Sequence, residues 1–429
     1  MSHVSSNATS GGSLSRRSSG SSARTVLRRL ESPLTTYYLL LGIVGLLVTI
    51  GLVMVLSASM IASLKENDSS FTIFLKQLMF ATIGLGALAF SATRSIRFWK
   101  RVSLLALAGG VALLALVPLI GQGFQGNKNW IYVGPVSIQP SEIAKIGLIL
   151  GGALVLERKR ALLGSLGHAL VPFVVPITVV VLGLVLVGRD LGTALVIAAI
   201  AVGMLFAAGV RLRWFAIGLG AMSAVVAVLA ATSSNRMERI RIWLYPEQCA
   251  PGTDLYYAIC RQPMHGRYAL ADGGWWGVGL GASREKWGWL SEPYNDFIFA
   301  IIGEELGLLG TLTIVALFAG FAVVGLRLFD QTDDFFVRLV TVGVCAWILV
   351  QAMVNIGSVI GMLPVIGVPL PFVSAGGSSL VMTMIGVGIL ISFARSEPAC
   401  AAALSTRPTL RSRARALVPI PFARRRTRS

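Results

Sequence analysis

The chain has 429 residues, of which 55% are hydrophobic and 13% are charged, and its formal net charge is +18. A mean hydropathy of +0.76 excludes an ordinary soluble domain. Several long uncharged runs reach the roughly 20 residues that a helix needs to cross the hydrocarbon core of a bilayer. These runs are 33–64, 102–127, 161–188, 191–210 and 339–394. The composition therefore predicts an all-α polytopic membrane protein.

The positive charge is concentrated in two tails. Residues 1–36 hold five Arg and one Glu, and residues 395–429 hold nine Arg and one Glu, so the tails carry +4 and +8 of the total. Basic flanks of a membrane protein are typical of cytoplasmic ends attracted to anionic lipid, and they do not indicate nucleic-acid binding. We expect a disordered cytoplasmic tail over 1–35 and a second basic cytoplasmic tail over 396–429.

Ten membrane-spanning helices are predicted between the tails. They fall at about 36–58, 73–92, 102–120, 140–157, 167–187, 190–210, 213–231, 297–325, 337–362 and 374–394. Lys and Arg gather in alternate connections, which places both termini in the cytoplasm. The membrane domain then covers 36–395, and residues 232–296 form a large extracytoplasmic loop between the seventh and eighth predicted helices.

Residues 292–307, EPYNDFIFAIIGEELG, place carboxylates at or inside the start of an apolar helix. A carboxylate at this depth must be paired with a cation, hydrated or protonated, and this requirement favours a functional site. Asp296 is the sharpest candidate because the apolar run begins directly after it. The local pattern leaves an alternative open, since an Asp beside a helix start can also cap the free backbone N–H groups. Glu304 and Glu305 are secondary candidates.

Other polar residues are expected near the outer ends of the helices. Glu142 and Lys145 either line a cavity or form a structural i,i+3 pair. Arg189 and Asp190 stand between two uncharged runs with almost no loop, so they either line a polar cavity or pair with each other. Gln351 and Asn355 fit a cavity wall or hydrogen bonds between helices; these residues are read directly from the chain.

Residues 361–379, GMLPVIGVPLPFVSAGGSS, hold three prolines and four glycines inside an apolar stretch. Non-helical backbone at membrane depth is tolerated only where it is buried in protein or faces water, so we expect a re-entrant loop at the outer side. Ser378 and Ser379 could cradle an anionic group there, whereas glycine pairs also serve close helix packing.

The sequence gives no Cys/His spacing for zinc and no glycine-rich nucleotide site, so ATP hydrolysis is not expected. Cys249 and Cys260 both fall in the predicted extracytoplasmic loop, where an oxidising environment would allow a disulfide. Two free thiols are the open alternative. Cys345 and Cys400 are not natural partners for either residue.

Six sequence blocks together resemble the SEDS family (shape, elongation, division and sporulation), and their order and spacing cover roughly 36–395. They are 273–281 (GGWWGVGLG), 293–300 (PYNDFIFA), 303–307 (GEELG), 130–142 (Trp130 through QPSE), 190–193 (DLGT) and the block from 363 to 379. The resemblance implies a ten-helix peptidoglycan glycosyltransferase that polymerises lipid II at the outer leaflet and releases undecaprenyl diphosphate.

The resemblance also implies roles for individual residues. Asp296 matches the Asp of the family's DFIFA motif and would act as general base toward the acceptor 4-hydroxyl. The diphosphate leaving group needs cationic help, and a divalent cation, Mg or Mn, is compatible with the site without being readable from the sequence. The predicted substrate-binding residues are Lys76, Glu142, Lys145, Arg189, Asp190, Arg239, Ser378 and Ser379. Arg236 and Arg241 of the outer loop are further cationic candidates for the diphosphate, and Lys128 is a weaker one.

Within the family, the long basic tails favour the division branch, FtsW, over the elongation branch, RodA. The insert with Cys249 and Cys260, and Ala375 where an aromatic residue is common, depart from the family pattern. A division enzyme of this kind would work at the septum with a class B penicillin-binding transpeptidase and divisome proteins. Two other hypotheses stay open, namely a lipid II flippase using the same cavity and a non-catalytic division scaffold.

Overall fold

The computed structural model describes residues 34–405 except 124–128, 135, 164–169, 212, 216, 219 and 221–233. Its principal helices are α1 (Thr35–Asn67), α2 (Thr72–Ala92), α3 (Ile96–Ile120), α4 (Pro140–Arg158), α5 (Val179–Val187), α6 (Leu191–Ala207), α7 (Ser234–Leu244), α8 (Arg261–Gly273), α9 (Ile298–Gln331), α10 (Phe335–Val359), α11 (Gly377–Ser396) and α12 (Pro398–Ser405). A π-helical stretch, Leu170–Thr178, leads directly into α5.

Six of these helices are long and apolar enough to cross a membrane, namely α1, α2, α3, α9, α10 and α11. Two shorter apolar helices, Phe173–Val187 and Leu191–Ala207, add to them. The prediction of a multi-pass, mostly helical membrane protein is confirmed. Of the predicted seventh helix, 213–231, 13 of the 19 residues lie outside the described residues, as do most of both tails, so the count of ten stays a prediction.

Local sequence signals explain where several helices begin. The Ser95 hydroxyl accepts the Phe98 N–H at 3.3 Å at the start of α3, and the Asp334 carboxylate accepts the Phe336 N–H at 2.9 Å at the start of α10. Pro140 occupies the first turn of α4, where its missing N–H leaves no gap in the helix. These caps satisfy backbone donors that have no partner within the helix.

Small residues let the membrane helices approach closely. A Cβ placed on Gly147 of α4 would come within 2.6 Å of the Ala106 carbonyl oxygen of α3. A Cβ on Gly388 of α11 would come within 2.7 Å of the Leu88 carbonyl oxygen of α2. Helices in lipid associate largely through van der Waals packing, and glycines at such contacts allow the close approach that this packing needs. The α3/α4 and α2/α11 pairs therefore depend on the absence of a side chain at these points.

A short hairpin departs from the all-α prediction. Strands β1 (Ile131–Val133) and β2 (Val136–Ile138) pair antiparallel, with Tyr132 opposite Ser137. Gly134 at the turn has a φ of +60°, a conformation that suits a residue without a side chain. The hairpin leads into α4, so it places the first turn of that helix. The sequence marked this region as turn-forming but gave no alternating pattern long enough to predict strands.

Helix α9 is kinked at Gly307, where φ is +67° and ψ is −163°. The helical hydrogen bonds broken at the kink are replaced by residues 273–281, which we name the tryptophan loop. Three backbone bonds join the two segments: Leu308 N to Gly274 O at 2.9 Å, Val278 N to Glu304 O at 2.9 Å and Gly279 N to Glu305 O at 3.1 Å. A neighbouring segment thus satisfies the freed backbone groups of an interrupted helix.

Between α10 and α11 the backbone of residues 360–376 is not helical, and we name it the proline-rich segment. This break was expected from its prolines and glycines. On the N-terminal side of α9, the segment that was predicted as one long loop carries α7 and α8. A disulfide joins Cys249 to Cys260, with 5.7 Å between their Cα atoms. It closes a small apolar cluster with Ile242.

Candidate active site

A cavity with a volume of about 1640 Å³ lies among the predicted site residues. Seven of the eight predicted substrate-binding residues line it together with Asp296, and these are Lys76, Glu142, Lys145, Arg189, Asp190, Arg239 and Ser379. The eighth, Ser378, adjoins the cavity, because its hydroxyl accepts the backbone N–H of the lining residue Gln139 at 3.2 Å. Residues far apart in the sequence therefore meet around one space.

Asp296 lies in the turn that immediately precedes α9. The N-cap residue of α9 is Phe297, and no side chain caps that helix end. Helix capping, which the sequence left open, is therefore not the role that the structure gives to Asp296. Its side chain is partly exposed and lines the cavity. The buried residues that follow, from Phe297 to Ile302, fix the turn against the core of the molecule.

One amide holds the backbone of Asp296. The Asn355 side-chain NH₂ donates to the Asp296 carbonyl oxygen and to the Val368 carbonyl oxygen, each at 2.7 Å. Asn355 is buried. Because one group bridges two segments, the turn that carries Asp296 and the proline-rich segment are fixed relative to each other.

Two further residues on the same face of α10 hold the proline-rich segment. The Gln351 side-chain NH₂ donates to the Pro369 carbonyl oxygen at 3.0 Å. The Ser358 hydroxyl shares its proton between the Val354 carbonyl oxygen of its own helix at 2.7 Å and the Pro364 carbonyl oxygen at 3.2 Å. Together with Asn355 they stand at i, i+4 and i+7, which is one helix face. Non-helical backbone next to the cavity is thus held by side-chain donors rather than by its own ladder.

Glycine is required where this segment passes the carboxylate. Gly367 has a φ of +78°, and a Cβ on it would lie 3.3 Å from the Asp296 Oδ2 atom. A larger residue would be strained in that conformation and would crowd the carboxylate. The Ser374 hydroxyl donates to the Asn295 carbonyl oxygen at 2.7 Å, so the end of the segment also contacts the turn beside Asp296.

The electrostatic surroundings suit Asp296 to proton transfer. Desolvation raises its pKa to about 7, and the negative charges of Glu292 and Asp190 act in the same direction. The positive charge of Arg239 opposes them and lowers it. Arg239 is itself held in place by a hydrogen bond to the Val365 carbonyl oxygen at 3.2 Å. A carboxyl group that titrates near neutral pH can accept a proton efficiently.

Glu142 and Lys145 form a buried ion pair in the cavity wall. The Lys145 Nζ atom lies 2.7 Å from Glu142 Oε1, and the two side chains are 1% and 3% exposed. Lys145 also donates to the Gln351 side-chain oxygen at 3.1 Å and lies over the Trp347 ring. Among the described residues, Glu142 Oε2 has no hydrogen-bond partner. The pair is therefore both structural and cavity-lining, which unites the two alternatives drawn from the sequence.

Asp190 begins α6 and connects it to the hairpin region. Its carboxylate accepts the Thr193 N–H at 2.9 Å and the Thr193 hydroxyl at 2.8 Å, and the Gln139 side-chain NH₂ at 3.3 Å. Arg189 has a φ of +62°, which is uncommon for a residue with a side chain. The tight turn at this point brings both side chains to the cavity wall.

Glu304 and Glu305 are not in the cavity lining, which corrects their standing as secondary site candidates. Both are buried beside the kink of α9. Glu305 accepts the Lys286 ammonium at 2.9 Å and the Ser57 hydroxyl at 2.7 Å. Glu304 accepts the Arg284 N–H at 2.7 Å. These carboxylates hold the tryptophan loop and its continuation against α1 and α9.

The structure adds cavity residues that sequence reasoning missed. They are Gln77, Gln139, Arg261, Gln262, Glu292 and Tyr294. Glu292 was visible in the same motif as Asp296, whereas Arg261 belongs to α8, whose contact with the cavity depends on the tertiary fold. Of the other cationic candidates for the diphosphate, Arg241 is exposed and does not line the cavity, and Lys128 and the side chain of Arg236 lie outside the described part of the chain.

The donor set for a divalent cation is small. Within the described residues no group of three His, Cys, Asp or Glu side chains could hold a metal ion. Asp296 and Asp190 nevertheless offer hard carboxylate oxygens to the cavity. Mg²⁺ is commonly bound by one or two carboxylates together with substrate phosphates and water, so the residues present fit such an ion only in company with a phosphate-bearing ligand.

Comparison with known proteins shows the family to which the chain is similar. Residues 37–398 match the family model for FtsW/RodA/SpoVE cell cycle proteins. The chain is 40% identical over 377 residues to a probable peptidoglycan glycosyltransferase FtsW of Mycobacterium tuberculosis, covering 87% of this chain and 71% of that protein. It is 37% identical over 360 residues to the stage V sporulation protein E of Bacillus subtilis, covering 83% and 96%.

Two solved structures share the fold. The first comes from a structure titled "Structural coordination of polymerization and crosslinking by a peptidoglycan synthase complex", with a TM-score of 0.66, 26% identity and coverage of 84% of this chain and 97% of that one. The second is a variant of the rod shape determining protein RodA of Thermus thermophilus, with a TM-score of 0.61, 25% identity and coverage of 84% and 97%. On this evidence the chain belongs to the FtsW/RodA/SpoVE family of cell cycle proteins.

Proposed function

We propose that this protein is a peptidoglycan glycosyltransferase that polymerises lipid II into glycan strands at the outer face of the cytoplasmic membrane. The observation that carries the proposal is the placement of Asp296, with a pKa of about 7, in the wall of a cavity of about 1640 Å³ that also holds cationic side chains. Similar proteins that are named probable peptidoglycan glycosyltransferase FtsW support the same reaction.

In the proposed reaction Asp296 takes the proton from the acceptor sugar 4-hydroxyl. The acceptor oxygen then forms a bond to the anomeric carbon of the donor sugar, and the bond from that carbon to the diphosphate breaks. The bonding electrons leave with the diphosphate, so undecaprenyl diphosphate is released. A base placed by a fixed turn and a nearby glycine-lined segment suits such a step, because the carboxylate needs little reorganisation.

Cationic side chains of the cavity would stabilise the diphosphate as it leaves. Lys76, Arg189, Arg239 and Arg261 all line the cavity. Hydrogen-bond donors with positive charge stabilise the charge that develops on phosphate oxygens. Lys145 is committed to Glu142 and Gln351, so its contribution is to shape the wall and its potential. When bound, a divalent cation would supply additional neutralisation of the diphosphate.

We further propose a setting for the enzyme. The many FtsW-named relatives favour a role in septal wall synthesis during division, and the match to a chain of a polymerising and crosslinking complex favours a class B penicillin-binding transpeptidase as partner. We propose that the protein associates with the divisome. We also propose that it has ten spanning helices and that both termini are cytoplasmic. The positive-inside pattern of the connections supports the orientation.

The proposal is tested with purified protein and lipid II. The full chain, reconstituted in liposomes with its cognate transpeptidase, is expected to convert lipid II into glycan polymer and to release undecaprenyl diphosphate. Polymer would be resolved by gel electrophoresis, and translocation of fluorescent lipid II would be followed in parallel. Translocation without polymer would reject the glycosyltransferase in favour of a flippase, and neither activity together with intact partner binding would favour a scaffold.

A further inference from the structure

The tryptophan loop exposes two adjacent large aromatic side chains. Trp275 and Trp276 are 70% and 81% exposed, and Val278 and Leu280 of the same loop are exposed as well. Exposed apolar side chains that are contiguous mark an interaction surface more often than scattered ones do. Nothing in the cavity chemistry uses these residues, because none of them lines the cavity.

The position of this loop is fixed by its contacts with the kink of α9. The three backbone hydrogen bonds at Gly274, Val278 and Gly279 tie it to α9. A Cβ on Gly307 would lie 2.6 Å from the Trp275 carbonyl oxygen, so the tryptophan pair lies directly beside the kink. The depth of the pair in a membrane can therefore be inferred from the depth of Gly307.

The exposed residues of α9 show where Gly307 lies relative to the apolar part of the helix. Beyond the kink, the exposed large apolar side chains begin at Leu308 and end at Leu326, and Arg327 follows at once. These 18 residues of rise correspond to about 27 Å of helix. A hydrocarbon core is about 30 Å thick. The apolar band of α9 thus begins beside the tryptophan loop at one end and stops at a charged residue at the other.

A second helix gives the distance to the water side. Glu305, next to the kink, accepts the Ser57 hydroxyl of α1, and α1 continues to the exposed Lys65 and Glu66. Ser57 and Lys65 are eight residues apart, or about 12 Å along the helix. The tryptophan pair therefore lies below the charged end of α1 and at the edge of the apolar band of α9.

We propose that Trp275 and Trp276 insert into the outer leaflet at the boundary between headgroups and acyl chains. The occupant of this surface is bulk lipid, because the pair lies at the depth where Trp is enriched in membrane proteins and its indole N–H can reach the headgroups. Since the loop also completes the hydrogen bonds of α9, it anchors the kinked helix in the membrane plane. This inference is independent of the proposed reaction.

The chain supplies its own comparison pair. Trp287 and Trp289 are also 64% and 60% exposed, but Gly288 between them lies close to the ammonium of Lys65 at the charged end of α1. They are therefore expected nearer to the water phase than the first pair, on the side of α1 that carries Lys65. Two pairs with similar exposure and different depth can be distinguished by quenchers that act at different depths.

The test uses the full chain in nanodiscs, either of ordinary lipid or of lipid brominated on the acyl chains. Of the nine tryptophans, the pair Trp275 and Trp276 should account for most of the fluorescence quenched by brominated chains. The double variant W275F/W276F should lose at least half of that quenching, whereas W287F/W289F should retain it and lose iodide quenching instead. A thermal unfolding curve for each variant verifies folding.

Two results would overturn the proposal. In the first, W275F/W276F keeps the bromolipid quenching of the wild type and loses iodide quenching, which would place the pair in water. In the second, bromolipid quenching of the pair disappears when the cognate transpeptidase is co-reconstituted, which would make the surface a protein interface. Unchanged quenching with the partner present, together with loss in W275F/W276F alone, supports the lipid surface.

Discussion

The pKa of Asp296 is set mainly by desolvation and is then adjusted by neighbouring charges of both signs. Burial, Glu292 and Asp190 raise its pKa to about 7, and Arg239 lowers it. A base must be ionised to accept a proton, so polymerisation should rise as the pH passes through about 7 and then level off. This rise with pH should be absent from any step that does not use the carboxylate, such as binding of the partner.

Replacing Arg239 by Gln should move the rise of the polymerisation rate to higher pH. Without the positive charge the ionised form of Asp296 is less stable, so its pKa rises and a higher pH is needed for the same activity. The measurement is the initial rate of polymerisation at saturating lipid II between pH 5.5 and 9. Arg241→Gln, on the same helix but exposed and outside the cavity, serves as the control and should leave the midpoint in place. A pH–rate midpoint that is unchanged in R239Q would contradict the electrostatic role of Arg239.

Asn355 should matter for rate more than for folding. Asn355→Leu removes the donor that fixes the Asp296 carbonyl, and a displacement of about 1 Å at a reacting group can cost about 100-fold in rate. We expect kcat to fall at least 10-fold with little change in KM. Ser358→Ala removes a longer contact to the same proline-rich segment, at 3.2 Å, without touching Asp296, and it should retain most activity. Equal losses in the two variants would assign Asn355 a purely structural role.

At the scale of elements, the kink of α9 is the feature most dependent on one residue. Gly307→Ala would place a Cβ 2.4 Å from the Gly277 backbone nitrogen, in a backbone conformation that is essentially restricted to glycine. We expect a loss of at least about 2 kcal/mol in stability, seen as a lower Tm. Gly86→Ala, where nothing lies within 4 Å of the added Cβ, is the matched control and should not lower Tm. A normal Tm for G307A would show that the kink is not needed.

Some elements of the fold could be predicted from the sequence and others could not. Apolar runs located the spanning helices, and prolines with glycines located the non-helical segment between α10 and α11, because both signals are local. The kink at Gly307 was missed, since GEELG is compatible with a regular helix until the tryptophan loop competes for its backbone. The β1–β2 hairpin was missed because three-residue strands leave almost no pattern. Glu304 and Glu305 were misjudged because their partners, Lys286 and Ser57, come from other segments.

For the whole molecule, the apolar bundle encloses a polar cavity whose wall is drawn from the ends of several helices. The sequence predicted that Asp296, Arg239 and Lys76 share a cavity. This prediction combined the positions of the motifs with the expectation that charged residues at membrane depth face a common cavity. Their distances and the bridging role of Asn355 required the fold, because they depend on how α10 packs against the turn before α9. The carboxylate of Asp296 in the cavity wall and the cationic side chains around it are the basis of the proposed polymerase activity.

The most direct measurement of this account compares the wild type with Asp296→Asn in glycan-strand formation from purified lipid II. Each protein would be reconstituted with its cognate transpeptidase. We expect polymer from the wild type and at least a 100-fold lower rate from D296N, because an amide of similar volume cannot accept the proton. Co-purification with the partner and an unchanged Tm would show that D296N is folded. Equal polymerisation by both proteins would contradict the assignment of Asp296 as the base.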